Sequence, residues 1–392
     1  MSKVVHHAKA ALQVVRAVSR KTHGTSGDFD VDLPLTPPFG IESRGATGTH
    51  TIVVLFSAEL TNANATVAET GAYVANSRVS GNTLTIDVAN VPDGKPITLS
   101  LSSVIDSFGR SLPETKITMQ TLIGDVTANG VVNVSDIGAA KSQIGQSITE
   151  SNFRFDVNGD GQIDAFDIAL IKAQSGNSLP AFESDRPRPG KNVLSSHTQF
   201  LSFTGPSAVG VGGTFTISTN LSFNGYSAFG LSYWLEVEDV VARFVTIADA
   251  RYFTFLDPTQ TNIAPFNSTF GASPGFKSAS RDLGATVPAV PDDNVPAGAH
   301  HVTDVLISVS NDAPPGTYTL RSTVLLPRKS EVSDTNFSDN YIQTAGTFTF
   351  RITPKPPRPE PTASASPRPT ATPKPSDPPG PSPTPRPSST PK

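Results

Sequence analysis

The sequence predicts a mostly β, multidomain chain. Two β-sandwiches flank a small α module of two loop-helix units, and a disordered proline-rich tail follows. Three observations carry this reading. Apolar residues alternate with period 2 in two long stretches, 21–122 and 192–353, with turn signals between the runs. Between those stretches one short pattern occurs twice, 31 residues apart. Finally, 16 of the 35 prolines fall within 354–392.

At 392 residues, a prior of roughly 100–200 residues per domain gives about two to four domains. The absence of cysteine excludes a disulfide framework, a thiolate zinc site and a cysteine nucleophile. The formal charge of −4 is unevenly spread: six Lys/Arg against two acids in 354–392 leave −8 on the remainder. No basic patch with interleaved aromatics suggests nucleic acid as a partner. No apolar run approaches the roughly 20 residues that span a bilayer. Residues 1–20 are an N-terminal segment with two open readings. Val4, Ala8, Leu12, Val15 and Val18 would form a helical stripe, while ALQVVRAVSR would equally serve as an opening strand. No long apolar stretch with a small-residue cleavage site is legible there as a secretory leader.

Residues 21–122 read as a sandwich. Strands are predicted at Thr51–Phe56, Thr83–Val88, Ile97–Val104 and Thr115–Leu122, with turns at Gly81-Asn82 and Pro92-Asp93-Gly94. RKTHGTSGDFDVDLPL, then GATGTHTIVVLFS and VIDSFGRSLP, resemble bacterial Ig-like domains of large surface proteins. His23 and His50 read as loop or strand-edge residues.

The repeat occupies 123–181. GDVTANGVVNVSDIGAAKSQIGQ from Gly124 aligns with FDVNGDGQIDAFDIALIKAQSGN from Phe155. Each copy is a twelve-residue loop leading into a helix. Calcium takes six to eight hard oxygens, supplied by loop positions 1, 3, 5, 9 and 12 and the carbonyl at 7, with glycine at 6 for the sharp turn. Loop 1 offers Asp125, Thr127, Asn129, the Val131 carbonyl, Asn133 and Asp136. Loop 2 offers Asp156, Asn158, Asp160, the Gln162 carbonyl, Asp164 and Asp167. Two calcium sites are therefore expected, and loop 2, with four carboxylates against two, should be the stronger. Val132 and Ile163 would pair as a short bridge between the loops. With a helix on one side only and Asp at position 12, the pattern resembles the type I dockerin domain. The resemblance implies a protein partner, such as a cohesin-type β-sandwich. It also points to the paired positions Val134-Ser135 and Ala165-Phe166 as partner-binding.

Residues 182–191 form a polar, proline-bearing linker expected to leave the second sandwich free to swing. Strands in 192–353 are predicted at Thr214–Phe223, Ala228–Val237, Val241–Ile247, Val302–Ser310, Gly316–Leu326 and Gly346–Thr353, with a long loop over 257–299. Through its PGTYTL hairpin this stretch resembles cohesin-like and adhesion-type extracellular sandwiches. The tail, 354–392, suits an extended spacer.

No catalytic set assembles. G-x-S-x-G, HExxH and phosphate-loop motifs are absent. Glu236 and Glu238 read as solvent-facing carboxylates beside Trp234, with Tyr233, Leu235 and Val237 in the core. Trp234 and Tyr252 supply too few rings for a sugar platform, and Trp234 reads as a ring covered by the long loop. His300 and His301, adjacent on a strand, point to opposite faces and cannot easily share a metal. The expectation is a non-catalytic, calcium-stabilised, extracellular or cell-surface protein acting in display, adhesion or docking to a protein, with cell wall or glycan as a further partner. The alternative is a non-catalytic, dockerin-bearing component of a polysaccharide-degrading assembly.

Overall fold

The computed structural model describes residues 11–45, 47–68, 71–180, 198–260, 263–290, 292–325, 328–355 and 380. Val4 and Ala8 of the helical stripe, the 182–191 linker and nearly all of the tail lie outside the described residues.

The opening strand, not the helix, is what forms from Val14. The first sandwich has nine strands: β1 (Val14–Thr22), β2 (Asp28–Asp32), β3 (Gly40–Glu42), β4 (His50–Phe56), β5 (Leu60–Val67), β6 (Tyr73–Ser80), β7 (Thr83–Ala89), β8 (Lys95–Asp106) and β9 (Thr115–Thr121). One sheet runs β2-β1-β4-β7-β6 and the other β3-β9-β8-β5. Alternation places Ile52, Val54, Leu84 and Ile86 of one sheet against Ile97, Leu99, Leu101 and Ile117 of the other, all without solvent exposure. Strand β3 runs parallel to β9, pairing Glu42 with Thr121. Beyond it Gly124 N–H donates to Ser43 O at 3.0 Å, which carries the pairing into the next module.

That module holds α1 (Val134–Lys141) and α2 (Ala165–Gln174). Its core joins Val126, Val132, Ile137, Ala140, Val157, Ile168 and Ile171 to Ile41 and Leu122 of the first sandwich. The expected Val132–Ile163 bridge does not form. Each residue pairs instead with the chain that follows the other repeat's helix: Gly176 N–H donates to Val132 O and Gly145 N–H to Ile163 O.

The second sandwich stacks a ten-stranded sheet on a five-stranded one. Ile217, Val305, Ile307, Leu320 and Phe350 meet Phe229, Leu231 and Val332 between them. The five-stranded sheet orders Asp257–Pro258, Ala285–Thr286, Ala228–Ser232, Glu331–Asp334 and Asp339–Tyr341. The single strand expected over Ala228–Val237 is two, Ala228–Ser232 and Leu235–Glu238, placed in different sheets. Residues 239–242 turn as a short helix before Val245–Tyr252. The expected long loop contributes short strands to both sheets, among them Ala264–Ser268 and Phe276–Ala279.

Met1–Pro354 forms one compact unit, which corrects the expectation of a swinging second sandwich. Side chains from α1 bind the five-stranded sheet directly.

Candidate calcium loops and docking face

The two loops fold alike because the same backbone demands recur at the same positions. Gly130 and Gly161, at position 6, have φ of 87° and 94°, a region that only glycine enters without strain. In loop 1, Asp125 accepts from Asn129 N–H (3.0 Å) and Gly130 N–H (2.8 Å). In loop 2, Asp156 accepts from Gly159 N–H (2.9 Å), Asp160 N–H (3.2 Å) and Gly161 N–H (2.9 Å). At position 12, Asp136 accepts from Thr127 N–H and Oγ1–H (3.0 and 2.9 Å), and Asp167 from Val157 and Asn158 N–H (2.8 and 3.2 Å). At position 5, Asn129 and Asp160 accept from Val131 and Gln162 N–H, both at 2.9 Å.

Positions 9 and 12 also start the helices. Asn133 and Asp164 are the N-caps of α1 and α2, and Asp136 and Asp167 return a bond to the N-cap backbone, a full capping box in each repeat. Loop closure and helix initiation are thus one structure.

The donor set suits a hard divalent cation. Asp125 and Asp136 are wholly buried. Burial pushes the Asp125 carboxyl up to about 7. Asp136 is held well above the ordinary carboxylate range by burial and then by the Asp125 charge. Burial raises Asp167 as well. Buried carboxylates that oppose each other call for a cation, and the remaining donors are amide, hydroxyl and backbone oxygens. Among the described residues no three carboxylate or imidazole groups converge on one point. The carboxylates close over backbone N–H groups, and in both loops the charge at position 1 adds to the burial that raises the carboxyl at position 12. A bound calcium would supply the positive charge that these residues lack.

The expected partner positions divide between two surroundings. Val134 and Ser135 are fully buried against the five-stranded sheet. Val134 N–H donates to Ser232 Oγ at 3.3 Å, and Ser135 Oγ bonds both Ser333 Oγ and Asp339 Oδ1. Asp339 Oδ2 also accepts from Asn129 Nδ2 at 3.0 Å, so loop 1 is tied to the same sheet. One turn on, Gly138 leaves room for the Phe229 ring: a Cβ there would lie 1.9 Å from it. Lys141 Nζ donates to Thr286 Oγ1 (2.7 Å) and Val287 O (2.9 Å) and pairs with Asp257, which Lys172 also reaches at 2.5 Å. Ser175 Oγ donates to Asp282 at 3.2 Å. By contrast Ala165 is exposed and Phe166 is 71% exposed.

Several sequence expectations are corrected here. Trp234 is buried, and the helical module shares in covering it: a Cβ on Gly176 would stand 3.4 Å from its ring. Glu236 is buried rather than solvent-facing, accepting from Ser273 and from Arg321 Nε at 2.7 Å. His300 and His301 take separate partners, Pro296 O and Asp304, in keeping with their adjacent places on one strand. His23, in the turn after β1, and His50, the first residue of β4, lie where the sequence places them, but both are buried. His23 belongs to the joint between first sandwich and loop 2, with Nδ1 2.7 Å from Asp156 Oδ2. The sequence reading missed His23, Phe229, Asp257 and Asp339. Only the HGTSGD turn, tight and polar between two strands, carried a signal for the first.

Residues 123–174 match the dockerin type I domain family, and the central module is a member of it. Type I dockerin domains are calcium-binding docking modules and are themselves non-catalytic. No curated protein matches the chain. Among solved structures, the chain is similar to the cohesin module of a family 33 glycoside hydrolase from Clostridium perfringens. Identity there is 13%, over 41% of this chain and 100% of that one, with a TM-score of 0.29. A type I cohesin–dockerin complex from Clostridium thermocellum aligns at 12% identity over 40% and 99%, TM-score 0.27. A putative membrane anchored protein from Corynebacterium diphtheriae aligns at 13% over 87% and 96%, TM-score 0.22. No helix among the described residues is long and apolar enough to cross a membrane.

Proposed function

We propose that this is a non-catalytic, calcium-stabilised docking and display protein of the cell surface or extracellular space. Its dockerin module is engaged on one face by the chain's own second sandwich and open on the other. The observation that carries this is the unequal fate of the two repeats: Val134-Ser135 lies buried on the five-stranded sheet, and Ala165-Phe166 faces outward. In this reading α1 makes a cis contact that fixes the three folded parts as one body. The second repeat then presents Phe166 to an external protein, and that protein binds in one orientation. Aromatic anchors of this kind carry much of the energy of protein interfaces. Both loops hold calcium, with Asp125, Asp136, Asp156 and Asp167 supplying the main charge. The dockerin match also favours the alternative that the external partner is a cohesin-type module of a polysaccharide-degrading assembly.

The test is to place a protease site in the 182–191 linker of the full chain and cut it. The two pieces should co-elute in calcium and separate in chelator. Separation in calcium would rule out a stable cis contact.

A further inference from the structure

The turn between β1 and β2 closes directly onto loop 2. Gly24 N–H donates to Gly159 O at 3.2 Å, and a Cβ on Gly24 would stand 2.3 Å from Asp160 O. Gly161, the position-6 glycine, packs in turn on the His23 backbone: its Cβ would fall 3.0 Å from His23 O. From this turn the His23 ring reaches Asp156, the first residue of the loop. Behind the ring stands a fully buried relay. Arg44 Nη1 lies 2.8 Å from His23 Nε2, and Arg44 meets Glu42 through Nε (2.8 Å) and Nη2 (2.9 Å).

We propose that His23 is a positioning residue for the loop 2 cation site, so that the first sandwich is part of what binds the divalent ion there. The proposal rests on the reading of loop 2 as a calcium site. Arg44 can only donate, so His23 Nε2 is the acceptor and the ring proton sits on Nδ1. That N–H donates to Asp156 Oδ2, which also accepts from Gly161 N–H at 2.9 Å. The position-1 carboxylate is therefore held in one rotamer by a side chain from another domain, before any ion arrives. The opposite charges of Glu42 and Arg44 offset each other behind the ring. Phe29 and Phe153, stacked 5.5 Å apart and edge-on to His23, exclude water from the joint. Outer partners that orient metal ligands in this way typically set about 10- to 100-fold in metal affinity. Linkage makes the coupling reciprocal: calcium in loop 2 must strengthen the His23–Asp156 bond by the factor that this bond adds to calcium binding.

The test is a calorimetric titration of the full chain with calcium after chelator treatment, with four variants beside it. His23→Ala should weaken the tighter class of site by about 10- to 100-fold and leave the other class within about twofold. His23→Asn, whose amide nitrogen falls near the Nδ1 position, should recover most of that loss. His23→Gln reaches instead toward the Nε2 position and should not. Phe153→Leu loosens the same joint without touching Asp156; it should lower the melting temperature while calcium affinity holds. Equal losses in His23→Ala and Phe153→Leu, or equal rescue by Asn and Gln, would reduce His23 to packing and overturn the proposal. Wild-type binding with no loss in His23→Ala overturns the proposal alone. A wild-type chain that binds no calcium overturns it together with the calcium reading.

Discussion

Gly138 shows how one missing side chain sets an interface. In the middle of α1 an alanine would favour the helix by about 1 kcal/mol. Its Cβ would however enter the Phe229 ring at 1.9 Å, and overpacking of that kind costs about 1–3 kcal/mol. Gly138→Leu, which cannot be absorbed by small shifts, should lower the melting temperature of the full chain and speed release of the second sandwich after the linker is cut. An unchanged release rate would show that α1 does not carry the contact. Buried charge makes a second prediction, for pH. Burial alone would raise Glu42, but the hydrogen bonds and charge of Arg44 outweigh it and bring the carboxyl to about 2. Burial lowers His50 from 6.5 to about 4, the charge of Glu42 notwithstanding. Both folded values lie below the unfolded ones. The unfolded chain therefore takes up protons first, and stability present at neutral pH is lost from about pH 6.5 down to 4 for His50, then from 4.5 toward 2 for Glu42. Each shift of this size is worth on the order of 3 kcal/mol. Melting temperature should fall as pH drops from 7 to 4, and His50→Leu should flatten that slope. None of these roles was legible in the sequence. A histidine in HGTSGD and another before TIVVLF read as loop or strand-edge residues, because Asp156, bonded to His23, and Glu42, whose charge acts on His50, come near them only in the fold.

At the scale of elements, the loops were the most legible part of the chain, because a twelve-residue loop that caps its own helix is local. Spacing alone picked out Asp125, Asp136, Asp156 and Asp167 as a set, and in the fold each accepts hydrogen bonds from the backbone N–H groups of its own loop. What spacing could not show is which strands would pair. Val132 and Ile163 looked like partners by symmetry. In the fold each takes the chain beyond the other repeat's helix, which knits the two units together and buries Val132 completely. The AFGLSYWLEV run misled for a related reason. Its apolar residues lie on both faces because the chain leaves one sheet for another after Ser232. The loops also make a prediction about rank. Ligand charge tunes calcium affinity, and loop 2 has four carboxylates against two. Asp156→Ala should therefore cost more melting temperature in saturating calcium than Asp125→Ala, and chelation should remove most of the difference. The reverse order would mean that the Asp339 carboxylate, 3.0 Å from Asn129, outweighs the count within loop 1.

Across the whole molecule, the helical module is held from two sides. Loop 2 and the Phe153 segment meet the first sandwich through His23, Phe29 and Arg44, while loop 1 and α1 meet the second through Asp339, Phe229 and Asp257. The first junction is short: only Ile123 and Gly124 separate Leu122 from Asp125, a span of at most about 7 Å, and Gly124 N–H bonds Ser43 O at 3.0 Å. The second junction was not legible, because a proline-bearing linker describes the tether and says nothing of the surfaces it joins. Tethering alters what an outside competitor must do. A short connection between two modules sets an effective concentration on the order of 1 mM. If the cis contact has an intrinsic Kd of about 10 μM, a competitor for the α1 face is weakened about 100-fold. A separately expressed second sandwich, 198–353, added in trans should thus capture residues 11–180 readily and the full chain about 100-fold less well, while Phe166→Ala changes neither value. Partners that dock on α2 should be indifferent to the cis contact and sensitive to Phe166→Ala. Equal capture of 11–180 and the full chain by the free sandwich would mean that α1 is as available in the intact protein as α2.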